Sequence, residues 1–244
     1  MKVRKAIIPA AGFGTRFLPA TKAQPKEMIP VIDKPLIQYT VEEIVGAGIR
    51  QIAVITSRGK SALEDHFDRS PELEAFLEEK GKTELLEEVR KIAQLAELSY
   101  IRQAHMLGLG HAILMGEAFA AGEPVAALTP DDIYVSGVPC IKQLMDACEE
   151  FGGSAVVLGR VDKEGTNKYG IVKVKRQISE RIFELSDMVE KPGPEKAFSD
   201  LAILGRYVFT PQIFEAIRKT AVDQRGEIQI TDAIRLLMDS QPVY

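Results

Sequence analysis

Along the 244 residues, short apolar runs alternate with stretches in which hydrophobic residues recur every three or four positions. The first pattern predicts strands and the second amphipathic helices. Through the first half the two take turns: strands over 3–9, 51–56, 98–102 and 124–129, helices over 36–47, 61–67 and about 109–121. Residues 71–98 are acidic, yet Leu85, Leu86, Val89, Ile92 and Leu95 keep helical spacing, so the stretch reads as an amphipathic helix with a solvated acidic face. A helix over 138–151 and a strand over 154–160 follow. This is the rhythm of a parallel sheet covered on both faces. From Tyr169 onward the pattern changes, because "YGIVKVK", "RIFELSDMVEK" and "LAILGRYVF" lie close together with no long helix between them, which predicts antiparallel strands. Helices near 211–219 and 231–240 close the chain, with Thr231 placed as an N-cap. The length suits a single domain over 1–244 with one good core.

Composition narrows the function more than the fold. A net charge of -4 argues against a nucleic-acid binder, which carries a basic surplus or stripe. Cys140 and Cys148 are too few for a disulfide framework and lack metal-ligand spacing, which fits a reducing cytoplasm. The apolar start of "MKVRKAIIPAAG" is broken by Pro9, Gly12 and Arg16 before a signal-peptide core can form, and no stretch approaches membrane-spanning length.

The chemistry concentrates just after the strands, where open α/β sheets gather their ligands. After the first strand comes "AAGFGTRFLPATKAQPKEM": Gly12 and Gly14 allow close backbone approach, and Arg16, Lys22 and Lys26 supply positive charge for phosphate. It is not a P-loop, since four spacers after Gly12 Phe17-Leu18 stand where glycine and lysine belong. It is not a dinucleotide fingerprint, since Phe17 replaces the third small residue and Pro19 follows, which disfavours an NAD-dependent oxidoreductase. Further on stand Gln103 with Gly108 and Gly110, then Asp131 and Asp132 in "TPDDI", then Glu190-Lys191-Pro192.

Each has two readings. The aspartates either reach Mg²⁺ bound to phosphates or form a Pro-Asp turn. Glu190 and Lys191 either serve one ligand, which requires a bend in the backbone, or make a surface ion pair at a strand end. Gly170 marks a bulge or a close approach to ligand. His66, His105 and His111 read as solvated or structurally satisfied, Met106 and Met115 as packing, and Glu227, Thr231 and Asp232 as a helix start.

Taken together, "PAAGFGTRFLPATKAQPKEMIPVIDKPLIQY", "RQAHMLGLGHAI", "LTPDDI", "KYGIV", "VEKP", "LAILGRYVF" and "GEIQITDAI" closely resemble, in order, the bacterial UTP-glucose-1-phosphate uridylyltransferases of the sugar-1-phosphate nucleotidyltransferase family. The resemblance implies an α/β Rossmann-like three-layer nucleotidyltransferase fold with a mixed, mainly parallel central sheet. It implies UTP and glucose 1-phosphate as substrates, Mg²⁺ as cofactor, and no membrane or nucleic-acid partner. By residue it implies that Ala11, Gly12, Gly14, Glu27, Gln103 and Gly108 hold the nucleotide and that Arg16 and Lys26 hold its phosphates. Asp131 would hold the metal, Gly170 and Glu190 the sugar, and Lys191 the sugar phosphate. The chain stops at Tyr244, where the family pattern continues into a strand, a second metal-binding aspartate and helices used in dimer or tetramer assembly. A fragment, a poorer metal site and loss of catalysis are the readings this leaves open. A thymidylyltransferase and a non-catalytic nucleotide-sugar binder are the rival functions.

Overall fold

The computed structural model describes residues 1–244. Its main sheet has eight strands: β1 Lys5–Pro9, β4 Gln51–Thr56, β5 Glu97–Arg102, β6 Val125–Leu128, β7 Ala155–Arg160, β8 Gly170–Gln177, β9 Phe183–Glu190 and β10 Leu201–Phe209. A small hairpin of β2 Pro30–Val31 and β3 Lys34–Pro35 stands apart. The strand order is β5-β4-β1-β6-β10-β8-β9, with β7 also paired to β10. The first four in that order run parallel, and β10, β7, β8 and β9 join antiparallel. The change of strand direction predicted after Tyr169 is therefore present.

Alternation along each strand decides the two cores. In β1, Ala6 and Ile8 face one side and Ile7 the other; in β4, Ile52 and Val54 oppose Ala53 and Ile55. Both faces are covered, which is why these strands read as unbroken apolar runs. One face packs against α1 Leu36–Gly46, α2 Ser61–Phe67 and α7 Cys140–Phe151 through Ile37, Val41, Ile44, Leu63, Ile141 and Leu144. The other packs against α5 Gly108–Met115, α8 Gln212–Lys219 and α9 Ile230–Leu237 through Ile113, Ile213, Ile217 and Ile234. Each fully buried isoleucine contributes about 1.5–3 kcal/mol relative to exposure. No helix is long and apolar enough to cross a membrane.

Three expectations need correction. Residues 71–98 are not one helix but α3 Pro71–Glu79 and α4 Thr83–Ile92 followed by β5. The break is at Gly81, whose φ of 63° and the bond from Lys82 N to Leu77 O form a helix-ending turn that other residues adopt at a cost. The helix near 109–121 divides into α5 and α6 Glu117–Ala120 around Gly116, where a Cβ would stand 2.5 Å from Ile7 Cδ1. Thr231 is not an N-cap; Gln229 holds that position, and the Thr231 hydroxyl is used elsewhere.

Candidate active site

The loop after β1 is built from its own contacts. Gly14 sits at φ 67°, and a Cβ there would meet Lys26 Cβ at 3.0 Å and Thr21 Cγ2 at 3.1 Å, while the Thr21 hydroxyl donates to Gly14 O. Gly14 thus lets the loop close on itself. Gly12 is the one with open space, since nothing lies within 4 Å of its Cβ direction. Beneath it, Ser57 Oγ donates to Ala11 O at 2.9 Å, which fixes the backbone on which a base or ribose would rest. Arg16 and Lys22 are exposed and have no side-chain partner.

Lys26 does have one. Its Nζ donates to Asp131 Oδ2 at 2.8 Å, so the cationic loop and the "TPDDI" loop share one cleft at the carboxyl ends of β1 and β6. Asp132 turns inward instead: it accepts from Thr129 Oγ1, and burial beside the Asp131 charge raises its carboxyl pKa. A Cβ on Gly205 would stand 2.0 Å from Thr129 Oγ1 and 2.4 Å from Asp132 Oδ2, so only glycine fits there.

What holds this loop was not evident from the pattern. Arg206, 1% exposed on β10, donates to Thr129 O at 2.7 Å and Asp132 O at 2.8 Å, and pairs with Glu43 Oε2 of α1 at 2.8 Å. Glu43 Oε1 accepts the Ile141 N–H at the start of α7, and the guanidinium lies 4.8 Å from the Tyr134 ring centroid. A charged residue inside "LAILGRYVF" was the available signal. Its partner lies 163 positions away, which spacing cannot reveal.

At the other end of the cleft, β9 ends at Glu190 and the chain bends. Lys191 has φ 45°, a left-handed conformation that places its side chain on the same side as Glu190, where the two pair at 2.7 Å. Glu190 and Lys191 therefore form an ion pair and also a bend that aims both charges at one place. Thr231 Oγ1 donates to Glu190 Oε2 at 2.6 Å, and a Cβ on Gly170 would meet that hydroxyl at 2.9 Å. Gly170 begins β8 in regular register opposite Glu190, without a bulge at that point. Tyr207 lies under both charge clusters: burial, Glu190, Asp132 and Asp131 together raise its phenol pKa.

The nucleotide end departs from expectation in two places. Glu27 is 1% exposed and faces inward, paired at 2.9 Å with Lys60, whose Nζ also donates to Ala10 O. Burial pushes the Lys60 pKa down against the opposing pull of Glu27. Lys60 in "SRGK" gave no pattern to find it by. Gly108, at φ 89°, makes room for protein: its Cβ would stand 2.9 Å from Glu227 Cβ, and Ile228 N bonds Leu107 O. Gln103 is buried just after the end of β5. Two of the histidines are structurally satisfied, His66 by Gln38 and His111 by Gln103.

A mixed sheet with cations and carboxylates paired along its carboxyl edge is the framework of a phosphate-handling α/β enzyme, and the comparisons narrow it. The chain belongs to the nucleotidyl transferase family, whose profile matches residues 5–244. A UTP–glucose-1-phosphate uridylyltransferase of Bacillus subtilis (strain 168) is 53% identical over 243 residues, spanning 100% of this chain and 83% of the relative. Among solved structures, UDP-glucose pyrophosphorylase complexed with UDP-glucose superposes with a TM-score of 0.90 at 42% identity, covering 100% of this chain and 90% of that one. UTP-bound UGPase from Acinetobacter baumannii gives 0.91 at 36% identity, covering 99% and 85%.

Proposed function

We propose that this chain transfers the uridylyl group of UTP to glucose 1-phosphate, releasing pyrophosphate and forming UDP-glucose, in the cytoplasm where Cys140 and Cys148 stay as free thiols. The observation that carries the reading is the Lys26–Asp131 pair at 2.8 Å, with the Glu190–Lys191 pair close enough that Tyr207 feels the charges of both Asp131 and Glu190. Its relatives' names supply the particular substrates. A dimer or tetramer is proposed on the resemblance alone.

A sugar phosphate has a second pKa of about 6, so at neutral pH its oxygen is an anion that needs no general base. That oxygen attacks the α-phosphorus, the bond to the β-phosphate oxygen breaks, and the electron pair leaves with pyrophosphate. In this reading Lys26 and Arg16 neutralise the departing charge and Lys191 holds the sugar phosphate in line. Glu190, oriented by Thr231, accepts hydrogen bonds from sugar hydroxyls. The backbone at Ala11 and Gly12, with Gln103, receives the nucleoside. Before substrate arrives Lys26 and Lys191 each rest on a carboxylate, while the exposed Arg16 keeps its charge in solvent.

The donor set suits Mg²⁺. No three acidic, histidine or cysteine groups cluster as a cage, but Asp131 offers an outward carboxylate, and Mg²⁺ is commonly held by one or two carboxylates plus substrate phosphates. When bound, the ion supplies further neutralisation of phosphate charge.

A grid of nucleoside triphosphates against sugar 1-phosphates with Mg²⁺, read by pyrophosphate release, tests the reading. The maximum is expected at UTP with glucose 1-phosphate. A maximum at dTTP would favour a thymidylyltransferase, and binding of UDP-glucose with no turnover would favour a sensor.

A further inference from the structure

Gln103 and His111 form a contact that the reaction described above does not use. Gln103 ends β5's edge of the cleft, is 4% exposed, and receives backbone support from the bond between its N–H and Thr56 O. Its amide nitrogen lies 3.3 Å from Gly108 O and 2.8 Å from His111 Nδ1. A carbonyl oxygen can only accept, so the amide atom facing Gly108 must be the NH₂ group. The second hydrogen of that NH₂ then goes to His111 Nδ1, which requires the neutral ring protonated on Nε2. Burial, with His105 nearby, lowers the His111 pKa and keeps the ring in that neutral form. Both amide hydrogens are thereby consumed inside the protein. The amide oxygen is left without a partner and is not sealed from solvent.

We infer that His111 is a specificity-determining positioning residue: by occupying the Gln103 NH₂ it presents Gln103 Oε1 to the base as a fixed acceptor for the ring N3–H of uracil. Cytosine carries no hydrogen at N3 and would meet the oxygen lone pair to lone pair. A site built to accept a substrate N–H rejects an analogue lacking it strongly, because the buried acceptor is then unpaired. Without His111 only Gly108 O holds the amide, and the group can turn its NH₂ toward the base. This rests on the uridylyltransferase reading.

The test is the ratio of kcat/KM for UTP to that for CTP, which is independent of how much of a variant folds because both substrates see the same enzyme. The parent should prefer UTP by about 10²-fold or more. His111→Phe should lower that ratio about tenfold, and in a Gln103→Met background the same change should leave it unaltered, since no amide remains to position. A ratio in His111→Phe within about twofold of a UTP-selective parent contradicts the inference alone, as does an equal shift in the Gln103→Met background. A parent that turns over no uridine nucleotide overturns the functional reading along with it.

Discussion

At the residue scale the site is a set of charges held in reserve. Lys26 and Lys191 each rest on a carboxylate, and in the proposed reaction substrate binding releases both, Asp131 for a metal ion and Glu190 for sugar hydroxyls. Exchange of one partner for another of like charge keeps the binding cost low. Lys191 is the residue whose removal separates binding of the two substrates. Lys191→Ala is expected to lower kcat about 10²-fold and raise the KM for glucose 1-phosphate, leaving the KM for UTP nearly unchanged, as read by steady-state pyrophosphate release. An unchanged rate would remove Lys191 from the chemistry. The meeting of Lys26 with Asp131 and of Lys191 with Glu190 was legible in the sequence because charge after an apolar strand has few other uses. The protein contacts at Gly14 and Gly108 were not, because a glycine says only that a Cβ is excluded and not which atoms exclude it.

At the scale of elements, most strands and helices were legible from periodicity, and the failures lie at glycines. The 71–98 stretch kept an apolar repeat across Gly81, so pattern alone joined what a single left-handed residue divides. The two helices are tied instead by Glu74, which accepts from Arg69 Nε at 2.9 Å and from Arg90 Nε at 2.9 Å. These bonds hold the Glu74 carboxyl down at about 2. An unfolded glutamate titrates near 4.3, so the pair's contribution is complete above that pH and is lost as pH falls through about 2. Glu74→Gln should therefore be less stable than the parent at pH 7, with the gap narrowing between about pH 4.5 and 2, measured by denaturant unfolding at each pH. A gap that stays constant over that window would show that the ionised carboxylate contributes nothing. Both guanidinium groups face solvent, so added salt should shrink the gap at pH 7.

At the scale of the whole molecule, the sheet brings together what the chain keeps apart. Lys26 and Asp131 are separated by 105 positions, and Arg206 and Glu43 by 163. The first pair could be anticipated, because both sit after parallel strands that run to the same edge. The second could not, because nothing in either local pattern marks a buried partner. Breaking such a buried pair by removing one member costs about 3–5 kcal/mol, so the "TPDDI" loop is anchored through Arg206 and Glu43 to α1 and α7. The most direct test of a shared triphosphate grip is a double-mutant cycle on kcat/KM for UTP with Mg²⁺, using Lys26→Met, Asp131→Asn and the combination. Each single change should cost about 10²-fold or more, and the double should cost clearly less than the product of the two. Losses that multiply fully, or a variant with parental activity, would mean that the two side chains do not act on one substrate.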